Sequence, residues 1–324
     1  MSDHNPKFAQ PAFTGQEGSG PKELDNLDDI VGQLVKPAFY QFPFGSQVRI
    51  PSLSALSELM QRLRAVFFPG FHSPHYNSAA SQRYHLSANL DSIHRLLCEQ
   101  INSGNCISGT GQNPPLNNCA GNEADADKLS REFITRLPKL RALLEGDVMA
   151  AYEGDPAAKA PGETIFCYPS IQVMTNHRVA HELYDLKVPL IPRIISEMAH
   201  AATGIDIHPG AEIGENFFID HGTGVVIGET CIIGKNCRLY QGVTLGALSF
   251  PKEEDGSLSK GLPRHPILED DVVVYSGATI LGRITIGARS VIGGNVWITR
   301  DVPADSKVVQ QRSTTASESM LGNC

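Results

Sequence analysis

From Ile207 onward aliphatic residues return every sixth position, at 207, 213 and 219, again at 227, 233, 239 and 245, and after an interruption at 268, 274, 280, 286, 292 and 298. Four residues after most of them stands a small or branched residue: Ala211, Cys231, Cys237, Val243, Val272, Ala278, Ser290 or Val296. Glycine often follows the leading aliphatic, as in Ile213-Gly214, Ile227-Gly228 and Ile286-Gly287. Three such hexads close a triangular coil of about 18 residues, with each leading aliphatic stacked on its counterparts above and below, so the run predicts a parallel β-helix of about four to five coils. An open sandwich would leave two in-phase runs of hexads to coincidence.

Ahead of the repeat the chain reads as helical, which makes the fold class α+β: an N-terminal α-helical domain followed by a β-helix. Apolar residues recur at three-and-four spacing over Leu53 to Phe68, Tyr84 to Ile101, Leu129 to Ala151 and Ile171 to Leu183, and Ser103 to Asp125 reads as a long polar loop. Residues 1–25, rich in Gly, Pro, Ser and Asn, are expected to be a mobile arm. The expected domains are therefore the arm, helices over 26–204, the β-helix over 205–305, and a flexible tail over 306–324.

With 41% apolar residues in 324, the chain can bury a substantial core. Its formal net charge of -8 gives no general attraction to nucleic acid or to an anionic membrane, so neither is an expected partner, and an anionic ligand must be held by a few local cations. The polar start lacks the apolar core of a secretory signal, and no stretch has the roughly 18 apolar residues of a membrane span, so a cytoplasmic location is expected. Seven cysteines, an odd count without CxxC spacing, fit reduced thiols.

Two segments break the repeat, and breaks in a regular solenoid are where function is usually mounted. The stretch Ile219-Asp220-His221-Gly222-Thr223-Gly224-Val225-Val226-Ile227 holds two residues too many, and the chain from Ala247 to about Ile267 leaves the wall and returns through Arg264-His265-Pro266. Together with Asp206-Ile207-His208-Pro209, Val226-Ile227-Gly228-Glu229-Thr230 and Gln241-Gly242-Val243-Thr244-Leu245-Gly246, these strings resemble the serine acetyltransferases over about residues 150–303. The resemblance implies a left-handed β-helix that moves an acetyl group from acetyl-CoA to the hydroxyl of L-serine, a step of cysteine biosynthesis.

A serine hydroxyl is a poor nucleophile near neutral pH, so a base must take its proton as it attacks the thioester, and histidine suits that pH. The resemblance gives this role to His221, and gives Asp206 the role of the carboxylate that fixes its tautomer. It puts Arg264, a planar fork for a carboxylate, and His265 in the serine site, with Asp155 and Asp220 facing the ammonium. For acetyl-CoA, Gly246 and Ala247 would admit the thin pantetheine arm, Ser276 and Gly277 lie one face further on, and Arg283 and Arg289 would offer charge near the phosphates. No metal is expected, and His208 reads as a residue bonding backbone within its turn. Three departures stand out: the excursion before Arg264 is long, Ser306-Lys307-Val308-Val309-Gln310 stands where the family has Gly-Val-Pro-Ala-Arg, and the N-terminal helical region is longer and more divergent than is common.

Rival readings are a sugar or homoserine acceptor, a scaffold without activity, zinc on His208, His221 and His265 as in the gamma carbonic anhydrases, and an acyl-cysteine at Cys231 or Cys237. The zinc reading lacks a His-x4-His pair, and both cysteines occupy the inward fourth place of a hexad. The expected partners are L-serine and acetyl-CoA, L-cysteine as a competing inhibitor, and other copies of the chain in a trimer or a dimer of trimers. Relatives dock a terminal isoleucine into the sulfhydrylase that follows in the pathway; with Cys324 at the end here, that complex is expected to be weak or absent.

Overall fold

The structure is a computed structural model that describes residues 27–36, 49–107, 123–249, 253, 256–259 and 261–310. The chain divides into two units, Met1–Ser46 and Gln47–Cys324. The first contributes one described helix, α1 (Leu27–Leu34). In the second, helices α2 (Leu53–Phe67), α3 (Ala79–Ile107), α4 (Glu123–Gly154), α5 (Pro161–Cys167), α6 (Pro169–Asp185) and α7 (Ile191–Thr203) precede fourteen short strands. Among the described residues no helix is long and apolar enough to cross a membrane.

The helices form where three-and-four spacing gives one apolar face. On α2, Leu56, Leu59, Leu63 and Phe67 are buried, and Phe133, Leu137, Leu140, Leu144 and Val148 run down the inner side of α4. Helix α3 is longer than its periodicity suggested and takes in the first residues of the expected polar loop, through Ile107, while the last three residues of that loop, from Glu123, open α4; residues 108–122 between them lie outside the described residues. Three helices, α1, α5 and α7, were not foreseen. Helices α5 and α7 each begin with proline in the first turn, and α7 ends at Gly204, whose left-handed conformation (φ 70°) closes the helix and turns the chain into the first strand.

The strands build a left-handed parallel β-helix with three walls. Wall A holds β1 (Asp206–Ile207), β4 (Val226–Ile227), β7 (Thr244–Gly246), β10 (Thr279–Leu281) and β13 (Trp297–Ile298). Wall B holds β2 (Glu212–Ile213), β5 (Ile232–Ile233), β8 (Ile267–Leu268) and β11 (Thr285–Ile286). Wall C holds β3 (Phe218–Ile219), β6 (Arg238–Leu239), β9 (Val273–Val274), β12 (Val291–Ile292) and β14 (Lys307–Val308). The hexad aliphatics are the stacked rungs: Ile207 pairs with Ile227, Ile227 with Leu245, Leu245 with Ile280, and Ile280 with Ile298. The fourth-place residues are buried too. The five described cysteines are free thiols, and burial pushes those of Cys231 and Cys237 up to about 12, which disfavours the thiolate that an acyl-cysteine route needs.

One expected boundary moves. Lys307 and Val308, assigned to the tail, form β14 and pair with Val291 and Ile292 as a further rung. The expected arm, and the tail beyond Gln310 with Cys324, lie outside the described residues.

The corner between walls B and C turns through left-handed residues in register, Asn216, Asn236, Asp271, Arg289 and Asp305. Asn and Asp tolerate that conformation best among residues with a Cβ. Their side chains also form a ladder, Asn216 donating to Asn236 (2.9 Å) and Asn236 to Asp271 (3.0 Å).

Candidate active site

The two breaks in the repeat fall on different corners of the prism. His221 lies between β3 and β4, where wall C turns into wall A; Arg264 and His265 precede β8, where wall A turns into wall B.

At the first corner His221 itself adopts a left-handed conformation (φ 58°), followed by Gly222 (φ 88°), where a Cβ would run into Ile205. The tight turn thrusts the imidazole outward, 70% exposed, with Nε2 at 3.8 Å from Asp220 Oδ1. Asp155, just beyond α4, joins them. Its carboxylate accepts from the Tyr168 hydroxyl (2.5 Å) and the Ala157 N–H (2.8 Å). The Tyr168 bond, then the Ala157 N–H, and more weakly the charge of His221, hold Asp155 below the usual carboxylate range, while the same bond pushes Tyr168 up to about 12.

The second corner is a hydrogen-bonded block centred on Thr230. Its Oγ1 accepts from the backbone N–H groups of Arg264 (2.9 Å) and His265 (3.1 Å), and its own N–H donates to His265 Nδ1 (3.1 Å). A backbone donor on Nδ1 requires the lone pair there, which leaves the proton on Nε2. Burial, with the neighbouring Arg264 charge, drives His265 down to about 4 and keeps it neutral. Arg264 donates to Glu229 (Nη2 to Oε2, 2.6 Å), and Tyr184 donates to the other oxygen of that carboxylate (3.4 Å). Burial works against the Glu229 charge, but Arg264 and His208 outweigh it and hold the acid ionised. His208 accepts the Gly210 N–H at Nδ1 (3.0 Å), the backbone role expected of it.

Several expected neighbours are not brought together. Asp206 and His221 share no hydrogen bond among the described residues; Asp206 gathers instead with Glu197 and His200, their ligand atoms within 4.8 Å of one another. The segments are nevertheless adjacent, because the Gly224 N–H donates to the Gly204 carbonyl (2.8 Å). The three histidines of the zinc reading are divided between the two corners. Gly246 and Ala247 lie at the far edge of wall A, Ser276 and Gly277 at its near edge, so they flank the outer face of that wall from opposite sides. Arg283 is committed to the carbonyls of Thr230 (2.6 Å) and His265 (3.1 Å), where it braces the returning excursion. Arg289 stands on the third corner, locked to Asp305 by two bonds of 2.6 and 2.7 Å, and is not part of this groove. Sequence reasoning missed Tyr168, Glu229 and Thr230 as site residues. The last two lie inside a string it had singled out, Val226-Ile227-Gly228-Glu229-Thr230.

Residues 265–300 match a bacterial transferase hexapeptide family of six repeats. The plasmid serine acetyltransferase of Synechococcus elongatus is 51% identical over 285 residues, spanning 88% of this chain and 87% of the relative. The chain belongs to the serine acetyltransferase family. A serine acetyltransferase of Bacillus licheniformis is 47% identical over 167 residues, 52% of this chain and 73% of its own. The crystal structure of Entamoeba histolytica serine acetyltransferase 1 in complex with L-cysteine superposes with a TM-score of 0.68 at 35% identity, covering 86% of this chain and 94% of that one. The chain is thus an acyltransferase that acetylates serine, and the sugar, homoserine and scaffold readings fall away.

Proposed function

We propose that this serine acetyltransferase takes its acetyl group from acetyl-CoA and passes it directly to L-serine, in a site completed by two copies of the chain. The observation that carries this reading is the division of the groups between two corners, with the base and the ammonium-seeking carboxylates on one and the carboxylate-seeking Arg264 and neutral His265 on the other. One side of the prism, about five to six residues at about 3.3 Å each, measures roughly 17–20 Å, far beyond the span of a serine. A neighbouring copy that presents its Arg264 corner to the His221 corner closes the site, and three copies around one axis satisfy every corner as a homotrimer.

In that site His221 takes the hydroxyl proton as serine Oγ attacks the thioester carbonyl; the C–S bond breaks, and the imidazolium returns the proton to the leaving thiolate. Being exposed, His221 turns toward Asp206 across the Gly224–Gly204 bond when substrate arrives. Asp155 and Asp220 face the ammonium, and Arg264 and the Nε2–H of His265 face the carboxylate. The outer face of wall A, flanked by Gly246 and Ala247 on one edge and Ser276 and Gly277 on the other, takes the pantetheine arm. L-cysteine, the ligand in the Entamoeba structure, differs from serine by one atom and competes for the same place.

Mixing two inactive variants tests the shared site. After subunit exchange, a one-to-one mixture of His221→Ala and Arg264→Ala is expected to regain about one quarter of native activity, because each interface draws its two halves independently. No recovery in a mixture shown to have exchanged would confine the site to one chain.

A further inference from the structure

A cavity lies among the helices, beside the His221 corner but not part of it. Its volume is about 190 Å³, and Arg64, Phe68, His72, Phe166, Tyr168 and Thr203 are among the residues that line it. Arg64 is half-buried on α2, and among the described residues no carboxylate lies within ion-pair distance of it; its guanidinium donates instead to the neutral Oδ1 of Asn176, at 3.0 Å. That amide is held in place by its own Nδ2, which donates to the Ile195 carbonyl (3.1 Å). A guanidinium partly drawn out of water is stabilised by an anionic partner, because desolvating a charge without a counter-charge is unfavourable. Among the described residues its other four N–H groups donate to no protein group and stay open to the cavity, and burial lowers both Arg64 and, with the help of the Arg64 charge, His72. The walls around it are aromatic: Phe166 lies 5.3 Å from Phe71 and 5.9 Å from His72 between ring centroids, and Phe68 is buried.

We propose that this cavity is a second ligand site, which takes a small carboxylate with an apolar or aromatic body: Arg64 pairs with the carboxylate, and the rings of Phe68, Phe166 and Tyr168 enclose the body. Two of its lining residues are each one step from the catalytic corner. Tyr168 donates to Asp155, and Thr203 precedes Gly204, whose carbonyl holds the Gly224 N–H of the His221 turn. A ligand that repositions Tyr168 therefore changes serine binding, an effect that rests on the role proposed above for Asp155; the binding itself does not.

Calorimetric titration of the full chain at fixed ionic strength with benzoate, benzamide and inorganic phosphate tests the site. Benzoate is expected to bind saturably, with benzamide and phosphate at least about tenfold weaker, and Arg64→Gln is expected to weaken benzoate by at least about tenfold. Ala202→Trp, an exposed change at the rim, should block binding while leaving Arg64 in place, and serves where Arg64→Gln fails to fold. Absence of saturable binding, phosphate binding as tightly as benzoate, or benzoate binding unchanged in Ala202→Trp would each overturn the site. The KM for serine should shift at saturating benzoate in the native chain and not in Ala202→Trp. An unchanged KM with benzoate bound would refute the coupling alone, and the subunit-mixing result reports separately on the catalytic reading.

Discussion

Asp147 and Arg178 form a two-pronged ion pair, Nε to Oδ2 at 2.6 Å and Nη2 to Oδ1 at 2.7 Å, buried where α4 and α6 meet the base of the β-helix. The pair does more than neutralise itself. Arg178 also donates to the carbonyls of Ile213 (3.2 Å) and Gly214 (2.9 Å), and Asp147 accepts the Phe217 N–H (3.1 Å), so both residues cap the open end of the first coil. Removing one partner leaves the other charge buried and the coil end unsatisfied. Asp147→Ala is therefore expected to cost about 3 to 5 kcal/mol in denaturant unfolding, and the Asp147→Ala, Arg178→Met double variant less than the sum of the singles. Additive losses would show that the two residues stabilise the seam independently.

Gly228 is fixed by the site rather than by its own conformation. A Cβ there would fall within the ring of His265, against Cδ2 and Nε2. Gly228→Ala should push the imidazole away from Thr230 and so remove the serine-facing Nε2–H, while the coil survives with about 1 to 3 kcal/mol of overpacking strain. The expected signature is a KM for serine raised at least about tenfold in a folded protein, and native kinetics would mean that His265 does not face the substrate.

Neutral His265 also makes stability depend on pH. Its folded value lies near 4 against an ordinary 6.5, so between those values the unfolded chain binds the extra proton. Stability is full above about pH 6.5 and falls as pH drops toward 4, by about 3 kcal/mol at most from this residue. His177, buried and held well below its ordinary value mainly by desolvation, adds a loss of the same sign. His265→Asn keeps an acceptor for the Thr230 N–H and cannot titrate, so its melting temperature should fall less than that of the native chain between pH 7 and 5. Parallel curves for the two proteins would assign the acid sensitivity elsewhere.

The rungs were legible because each hexad aliphatic serves one repeated purpose, and a purpose repeated thirteen times leaves a period in the sequence. The corners were also encoded, but indirectly. Ile219 ends a coil on wall C and Leu268 stacks on Ile233 of wall B, which already sends His221 and Arg264 to different corners, whereas the resemblance gathers them into one site. Glu229 and Thr230 gave no separate signal, since a Gly-Glu-Thr corner reads as ordinary exposed polar chain until the excursion is known to fold back over it. Asp147 and Arg178, 31 residues apart on different helices, could not be paired from spacing at all. Helix α7 carried its apolar residues at the right spacing but was overlooked between two prolines and the abrupt start of the repeat.

The remaining question is which carboxylate orients His221. Asp220 is nearer, yet 3.8 Å is too long for a hydrogen bond, and Asp220 directly precedes His221 along the chain, where it can turn its oxygens toward an incoming ammonium as readily as toward the ring. Asp206 shares no bond with His221 here but sits on the strand next to the one the His221 turn feeds, and catalytic hydrogen bonds often tighten only when substrate is bound. If Asp206 sets the tautomer, Asp206→Asn should lower kcat by about 10² to 10⁴, the range also expected for His221→Ala, with little change in KM for serine. Asp220→Asn should do the reverse, raising the serine KM with a smaller loss of kcat, because an ammonium partner acts on binding. Steady-state kinetics on the two variants separate the roles. A large fall of kcat in Asp220→Asn, with Asp206→Asn near native, would move the dyad to the neighbouring pair and leave Asp206 with Glu197 and His200.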